Sequence, residues 1–169
     1  MAKTVNMAVP PPSEPPRGAS PLFLREPEIR RGIELMLLGY NHLTHSLDAI
    51  LAEAKLGRAH HRALYFIARR PDLTVGELLG LLAITKQSLG RVLGDLTDRG
   101  LVDTRPGTQD RRQKLLRLTA AGAEIEARMF ETLRERLSGA YSQAGQGAVS
   151  GFWAVLEGLV PPQDRPGEG

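Results

Sequence analysis

The stretch that decides the fold runs from residue 84 to residue 100 and reads Ile84-Thr85-Lys86-Gln87-Ser88-Leu89-Gly90-Arg91-Val92-Leu93-Gly94-Asp95-Leu96-Thr97-Asp98-Arg99-Gly100. Its apolar residues recur at the i, i+3, i+4, i+7 spacing of one helical stripe. The opposite face is polar, cationic and thin, since it includes Lys86, Arg91, Gly90 and Gly94. Thr85 is placed to cap the start of a helix, and Gly100 to end it. The pattern predicts one amphipathic helix.

The polar face of this helix has the character of a DNA-reading surface. Each of its two glycines costs roughly 1 kcal/mol against alanine in a helix. Close approach to another surface is one reason for these glycines, and sequence drift is another. A short helix that presents Lys, Gln, Ser and Arg from its first two turns fits a DNA major groove. A solvated amphipathic helix is the alternative interpretation of this stretch taken alone.

The neighbouring segments predict a winged helix-turn-helix. Thr74 and Glu77 form a capping box that starts a short helix, and residues 82–85 leave a tight turn before the central helix. After Gly100, residues 101–105 alternate as in a strand, Pro106 and Gly107 are a turn signal, and residues 115–118 suit a returning strand. The charged residues 108–114 between them form the tip of a basic hairpin.

Long helices are predicted on both sides of this core. Residues 28–54 carry apolar residues at helical spacing and would extend about 40 Å as one helix, a length that favours packing against a second subunit. Packing on its own domain alone is the alternative. Residues 58–69 predict a helix that stops before Pro71. Thr119 caps a helix that runs to about residue 140, where Gly139, Gly145 and Gly147 interrupt it. A last amphipathic helix covers 149–160, with Trp153 in a core or a subunit interface.

Composition limits the class of protein. The 169 residues suffice for one domain with a core, and the first 21 residues contain six prolines, which predicts a flexible arm over residues 1–27. Residues 161–169 predict a flexible tail. The net charge is +3, but residues 85–117 contain eight Lys or Arg and four Asp or Glu. The absence of cysteine excludes disulfides and thiolate metal sites. No apolar run suits a bilayer and no secretory signal is present, so we expect a cytoplasmic protein without membrane partners.

The run from Leu73 to Gly122 resembles the MarR family of bacterial transcription regulators. The matching segments are residues 73–78, 84–88 and 96–102, the wing Asp110-Arg111-Arg112, and Leu118-Thr119-Ala120-Ala121-Gly122. The D-x-R wing and the L-T-x-x-G start of the next helix carry most of the specificity. With its flanking helices the resemblance covers about residues 28–160. Residues 23–25, 57–62 and 84–88 further resemble the PetP-like branch of the family.

This resemblance implies a fold, an oligomeric state and a mode of DNA binding. The fold would be mainly α, with a winged helix-turn-helix core over about 58–118 and dimerisation helices over about 28–56 and 119–160. The protein would bind double-stranded DNA as a homodimer on a pseudo-palindromic operator. The central helix would enter the major groove and the wing tip would reach the minor groove. No cofactor is implied, but a small-molecule effector is, in a cleft between the dimer helices and the DNA-binding lobe.

The central helix supplies the first group of candidate DNA-binding residues. Thr85, Lys86, Gln87 and Ser88 lie at a helix N-terminus, where free N–H groups and the helix dipole favour phosphate. We assign Thr85 and Ser88 to phosphate. The Gln87 amide is suited to adenine, and the Arg91 guanidinium to guanine or phosphate.

The wing supplies the second group. Arg112 is the candidate for the minor groove, whose negative potential attracts guanidinium groups. Arg111 and Lys114 are candidate backbone contacts. Asp110 would be repelled by DNA, so we expect it to pair with an arginine and shape the tip. A merely solvated hairpin is the alternative interpretation.

Four histidines raise the question of a metal or effector site. His42 and His45 lie at i, i+3, which permits joint ligation, but no further ligand pattern accompanies them, so no metal site is predicted. His60 and His61 open the second helix and, with Tyr40, are the candidates for lining an effector cleft. The two histidines could alternatively titrate as a pH-sensitive pair.

Two other classes of function fit the sequence less well. A winged-helix protein–protein module without specific DNA binding needs no cationic helix face or wing, and both are present here. An enzyme lacks support, because the sequence has no cysteine nucleophile, Gly-Lys phosphate loop or zinc-protease motif. The G-x-x-S-G run at residues 147–151 does not have the G-x-S-x-G spacing of a nucleophile elbow. The sequence therefore predicts a non-enzymatic DNA-binding regulator.

Overall fold

The structure, a computed structural model, describes residues 21–107 and 112–165. The described chain is mainly helical, as predicted, with a small antiparallel sheet. Its elements in order are α1 (Glu26–His45), α2 (Asp48–Glu53), α3 (Arg58–Arg69), β1 (Leu73–Thr74), α4 (Val75–Leu82), α5 (Lys86–Asp98), β2 (Val102–Pro106), β3 (Lys114–Leu118), α6 (Ala120–Ala144) and α7 (Gln146–Leu159). Within that part of the chain no helix combines the length and apolar character needed to cross a bilayer.

Two units make up the chain, Met1–Gly39 and Tyr40–Gly169, and the division falls inside α1. In the second unit, α3 is the central scaffold, because it packs against α4, α5, α6 and β3. Leucine side chains from these elements form one apolar core with Met129 of α6. The residues with almost no exposed surface include Leu64, Ile67, Leu78, Leu82, Leu89, Leu96, Leu116 and Met129. The helix-turn-helix and the wing base therefore share one core.

The sheet joins the wing to the segment before α4. Its strand order is β1-β3-β2, and Val102 pairs with Leu118 while Pro106 pairs with Lys114. The short strand β1 was not predicted. It pairs Leu73 with Leu116 of β3, so only the position of β3 defines it as a strand.

The predicted helix boundaries around the turn are confirmed. The Thr74 hydroxyl accepts from the Glu77 N–H at 3.2 Å, and the Glu77 carboxylate accepts from the Thr74 N–H at 2.8 Å, which is a complete capping box. The Thr85 hydroxyl accepts from the Ser88 N–H at 3.1 Å. Gly100 has a φ of +65°, the left-handed conformation expected of a residue that ends a helix.

The prediction of one continuous helix over residues 28–54 is wrong. α1 ends at His45, and α2 starts at Asp48. Next to the break, the hydroxyls of Thr44 and Ser46 donate to carbonyls of the preceding turn, at 2.9 Å to Tyr40 and 2.6 Å to Leu43. Such side-chain bonds compete with the helical ladder. The Ser46 and Leu47 N–H groups bond three residues back rather than four, which tightens the last turn and ends the helix.

The ends of the chain also differ from the sequence-based expectations. Gly139 and Gly147 lie inside α6 and α7 and do not interrupt them, because one glycine costs a packed helix only roughly 1 kcal/mol. Gly145, with a φ of +81°, is where α6 ends. Short 3-10 turns at Pro21–Leu24 and Pro162–Asp164 lie within the predicted arm and tail, and α1 already begins at Glu26. Residues 1–20 and 166–169 of those segments lie outside the described chain.

Candidate nucleic-acid interface

The polar face of α5 is exposed because its other face is buried. Leu89, Val92, Leu93 and Leu96 are all buried in the core. Lys86, Gln87, Ser88 and Arg91 are all exposed. Burial of the apolar stripe thus orients the predicted DNA-reading side chains away from the protein.

The helix start brings together the two hydroxyls assigned to phosphate. Besides capping the helix, the Thr85 hydroxyl donates to the Ser88 hydroxyl oxygen at 2.9 Å. The Ser88 hydroxyl hydrogen is then the one left to donate to an anion at this N-terminus. Gly90 and Gly94 are both exposed, and an added Cβ would meet no atom within 4 Å at either position. The face of α5 that carries these two glycines is therefore open surface.

The turn before α5 is held by a residue that sequence analysis missed. Arg62 on α3 donates from Nη2 to the Leu82 carbonyl at 2.5 Å. That carbonyl ends α4, just before Ala83, whose φ of +50° turns the chain toward α5. The sequence signal was one arginine among the polar residues of an amphipathic helix, and it did not reveal its partner.

The wing presents part of the predicted basic set. Arg112 and Lys114 are described, and both are exposed. Asp110 and Arg111 lie outside the described residues, so their assigned roles stay predictions. Behind the wing, Arg117 of β3 grips both oxygens of the Asp72 carboxylate, with Nε at 2.6 Å from Oδ1. Hydrogen bonding to Arg117 lowers the pKa of Asp72 and raises that of Arg117. This pair ties β3 to the loop before β1.

The three candidates for an effector cleft have different surroundings. His60 Nε2 lies 3.0 Å from an Asp95 carboxylate oxygen on α5. His61 is buried, and burial lowers its pKa, an effect that the charges of Arg62 and Arg58 increase. Tyr40 is more than half exposed. Two cavities in Tyr40–Gly169 have other linings: one of about 280 Å³ beside Ile67 and Glu126, and one of about 440 Å³ beside Tyr141 and Trp153.

His45 and Trp153 each make a hydrogen bond within their own part of the chain. His45 is hydrogen-bonded through Nδ1 to the Asn41 carbonyl at 2.6 Å. Within residues 21–107 and 112–165, no three His, Cys, Asp or Glu side chains are grouped as a metal site would require. Trp153 is 53% exposed and donates to the Tyr141 hydroxyl at 2.9 Å, so of its two predicted placements the core of this chain is excluded and the subunit interface stays a prediction.

Comparison with known proteins identifies the family. The sequence profile of the MarR family matches residues 54–113. The HTH-type transcriptional regulator PetP of Rhodobacter capsulatus is 47% identical over 150 residues, which cover 89% of this chain and 90% of that protein.

Solved structures show the same fold at lower identity. NadR in complex with 4-hydroxyphenylacetate superposes with a TM-score of 0.67 at 23% identity, covering 73% of this chain and 88% of that one. S. aureus MepR in its DNA-binding conformation gives 0.67 at 18% identity, covering 75% and 93%. On the match to PetP over almost its full length, together with the family profile, the chain belongs to the MarR family of winged-helix transcriptional regulators.

Proposed function

We propose that the protein is a transcriptional regulator that binds double-stranded DNA as a homodimer and reads a pseudo-palindromic operator. The observation that carries this proposal is the exposed polar face of α5, whose opposite stripe is buried. Lys86, Gln87 and Arg91 are presented there on a rigid helix, which can enter a major groove. Membership of the MarR family supports the same conclusion.

The charge distribution favours DNA over a protein partner. Residues 85–117 carry an excess of cationic side chains, and the exposed ones include Lys86, Arg91, Arg112 and Lys114. Cations on both the helix and the hairpin would neutralise phosphates along one duplex. A protein–protein module would not require both elements to be basic.

Exposed apolar side chains support dimerisation through the terminal helices. In α1, Ile33 and Met36 are 49% and 41% exposed, and in α7, Trp153 and Leu159 are 53% and 64% exposed. The larger set also includes Ile29, Leu35, Leu37, Leu38, Phe130, Phe152 and Val155. Apolar groups exposed in such number mark interaction surfaces. A second copy of the chain is the partner that we infer.

The response to a small molecule is a further part of the proposal. The relative NadR binds 4-hydroxyphenylacetate in its solved structure. We infer that this protein too responds to a small effector, with Tyr40, His60 and His61 as the candidate contacts. Its place of action would be the bacterial cytoplasm, where the chromosome lies.

Selection of bound fragments from the host genome, followed by footprinting, tests the DNA proposal. We expect one enriched sequence with two-fold symmetry and a footprint on both half-sites. Sedimentation equilibrium at micromolar concentration should give about twice the chain mass of 18.4 kDa. Absence of any enriched sequence would contradict the regulator proposal and favour a protein–protein module. A monomer that binds the operator tightly would contradict the dimer alone.

A further inference from the structure

We propose that Asp95 is a positioning residue: held by His60 and Arg99, it sets the angle of α5 and so determines how well the protein discriminates its operator from other DNA. This inference rests on the proposed function. Asp95 itself need not touch a base. It acts through the orientation of the helix that carries Gln87 and Arg91.

A chain of hydrogen bonds surrounds the Asp95 carboxylate. Oδ1 accepts from Arg99 Nε at 2.9 Å, and Oδ2 lies 3.0 Å from His60 Nε2. The other ring nitrogen of His60, Nδ1, accepts from the Gly57 N–H at 3.0 Å. Because Nδ1 acts as an acceptor, the neutral ring carries its proton on Nε2 and donates it to Asp95. Both carboxylate oxygens are thus used.

These hydrogen bonds connect Asp95 to the corner between α2 and α3. Arg99, which donates to Asp95 from Nε, also donates from Nη1 to the Ala54 carbonyl at 2.9 Å. Ala54 and Gly57 bracket that corner, and His60 lies in the first turn of α3. The last two turns of α5 are therefore tied to the scaffold at two points. His60 is the most shielded member, with 19% of its side chain exposed, against 38% for Asp95.

The position of Asp95 on α5 lets it control rotation of the helix. At about 100° per residue, Asp95 lies roughly 40° around the helix from Arg91 and 80° from Gln87. It is only partly exposed, whereas Arg91 and Gln87 are exposed, so it lies where the polar face meets the buried stripe. A hydrogen bond at that edge resists rotation of α5 about its own axis. Packing of the apolar stripe resists this rotation less, because apolar contacts are not directional.

Loss of this bond should reduce specificity more than general affinity. Base-edge hydrogen bonds require accurate distance and angle, so a rolled helix loses them. Phosphate contacts through long basic side chains adapt to small shifts. Simple electrostatics predicts a different result, since removing a carboxylate from a DNA-facing helix strengthens attraction to any duplex and leaves the discrimination unchanged. The two effects can therefore be separated in one measurement.

Asp95→Asn is the direct test, with Asp98→Asn as its matched control. Asp98 is exposed on the same helix, and each substitution removes one negative charge. An asparagine offers one acceptor oxygen where His60 and Arg99 require two. Dissociation constants are measured at one salt concentration for the selected operator and for a random duplex of equal length. The discrimination ratio is the dissociation constant for the random duplex divided by that for the operator. Asp98→Asn should tighten binding to both duplexes and keep this ratio within about twofold of the wild-type value. Asp95→Asn should lower the ratio by about tenfold or more, because base contacts in both half-sites are disturbed.

Substitutions at His60 provide a second test that does not depend on Asp95→Asn folding. In His60→Gln the amide nitrogen occupies the place of Nε2 and can still donate to Asp95. In His60→Asn the side chain can still accept from Gly57 but does not reach Asp95. We expect His60→Gln to keep the discrimination ratio and His60→Asn to lose it, with thermal melts confirming that both fold.

The outcomes separate this inference from the proposed function. A wild-type protein without operator preference would overturn the proposed function. A discriminating wild type with an unchanged ratio in a folded Asp95→Asn variant would overturn the positioning role alone. Equal discrimination by His60→Gln and His60→Asn would also overturn it.

Discussion

The backbone of Gly122 lies so close to Leu101 that a Cβ at Gly122 would be 2.0 Å from the Leu101 carbonyl oxygen. That oxygen also accepts from the Thr119 N–H at 3.1 Å, and the Thr119 hydroxyl donates to the Gly100 carbonyl at 2.7 Å. The start of α6 therefore sits directly on the backbone that joins α5 to the wing. The glycine of the L-T-x-x-G motif is required by this close approach.

Gly122→Ala should lower the free energy of unfolding by about 3 kcal/mol or more, because the methyl group meets backbone that cannot move aside. Gly80→Ala in α4 is the control, since a Cβ there meets nothing within 4 Å. It should raise stability by roughly 1 kcal/mol. Urea unfolding at one protein concentration measures both. Equal stability of the two variants would show that α6 is not held against Leu101.

Gly90→Ala separates the folding and binding roles of the thin helix face. Because an added Cβ has no neighbour within 4 Å, the substitution should stabilise the fold by roughly 1 kcal/mol. The same methyl should weaken operator binding by about tenfold if the face approaches DNA closely, as overpacking typically costs 1–3 kcal/mol. Fluorescence anisotropy and thermal melts give the two quantities. An unchanged operator affinity would favour sequence drift as the origin of the glycine.

Gln87→Ala and Arg112→Ala should affect DNA binding differently. Gln87 is a candidate base contact, so its loss should cost roughly 1–3 kcal/mol per half-site on the operator and little on random DNA. Arg112 is a candidate for the minor groove, which reports width and charge more than base identity. Its loss should weaken both duplexes alike. Titrations of each variant with both duplexes at one fixed salt concentration measure these affinities. If Gln87→Ala weakens binding to the operator and to random DNA equally, Arg91 becomes the candidate for base reading.

Binding should depend strongly on salt. If each subunit neutralises about four phosphates through the basic residues of the helix and wing, a dimer neutralises about eight. The slope of log affinity against log salt should then be about −7, from −0.9 per phosphate. Repeating the titration with Lys114→Gln should make the slope less steep by about one or two units. A slope near zero would argue for the protein–protein alternative.

Stability should fall as the pH falls below about 6.5, in part because of His61. Burial lowers its pKa, and so do the charges of Arg62 and Arg58. As the pH falls below 6.5, the unfolded chain therefore binds a proton at His61 before the folded chain does. The free energy of unfolding then rises with pH, by at most about 1.4 kcal/mol per unit for one proton, and levels off above pH 6.5. His61→Gln should reduce this slope in urea unfolding between pH 5.5 and 7.5. An unchanged slope in a folded His61→Gln variant would contradict this role of His61.

Local features of this protein were predictable from its sequence. The apolar stripe of α5, the Thr74–Glu77 capping box, the Thr85 cap and the Gly100 stop all involve residues within a few positions of one another. Such interactions form wherever the segment is helical, so spacing alone identifies them. The order of these elements, with the basic hairpin, was enough to predict a winged helix-turn-helix.

Other features were decided only when α3 packed against α4, α5 and β3. Arg117 meets Asp72, and Arg99 meets the Ala54 carbonyl, across 45 residues of sequence in each case. The strand β1, the anchoring of Asp95 by His60 and the contact of Gly122 with Leu101 arise in the same way. No local periodicity encodes these partners, because a hydrogen bond depends on angstrom-scale distances between elements. Those distances are set by packing of the shared core, so only the tertiary structure decides them.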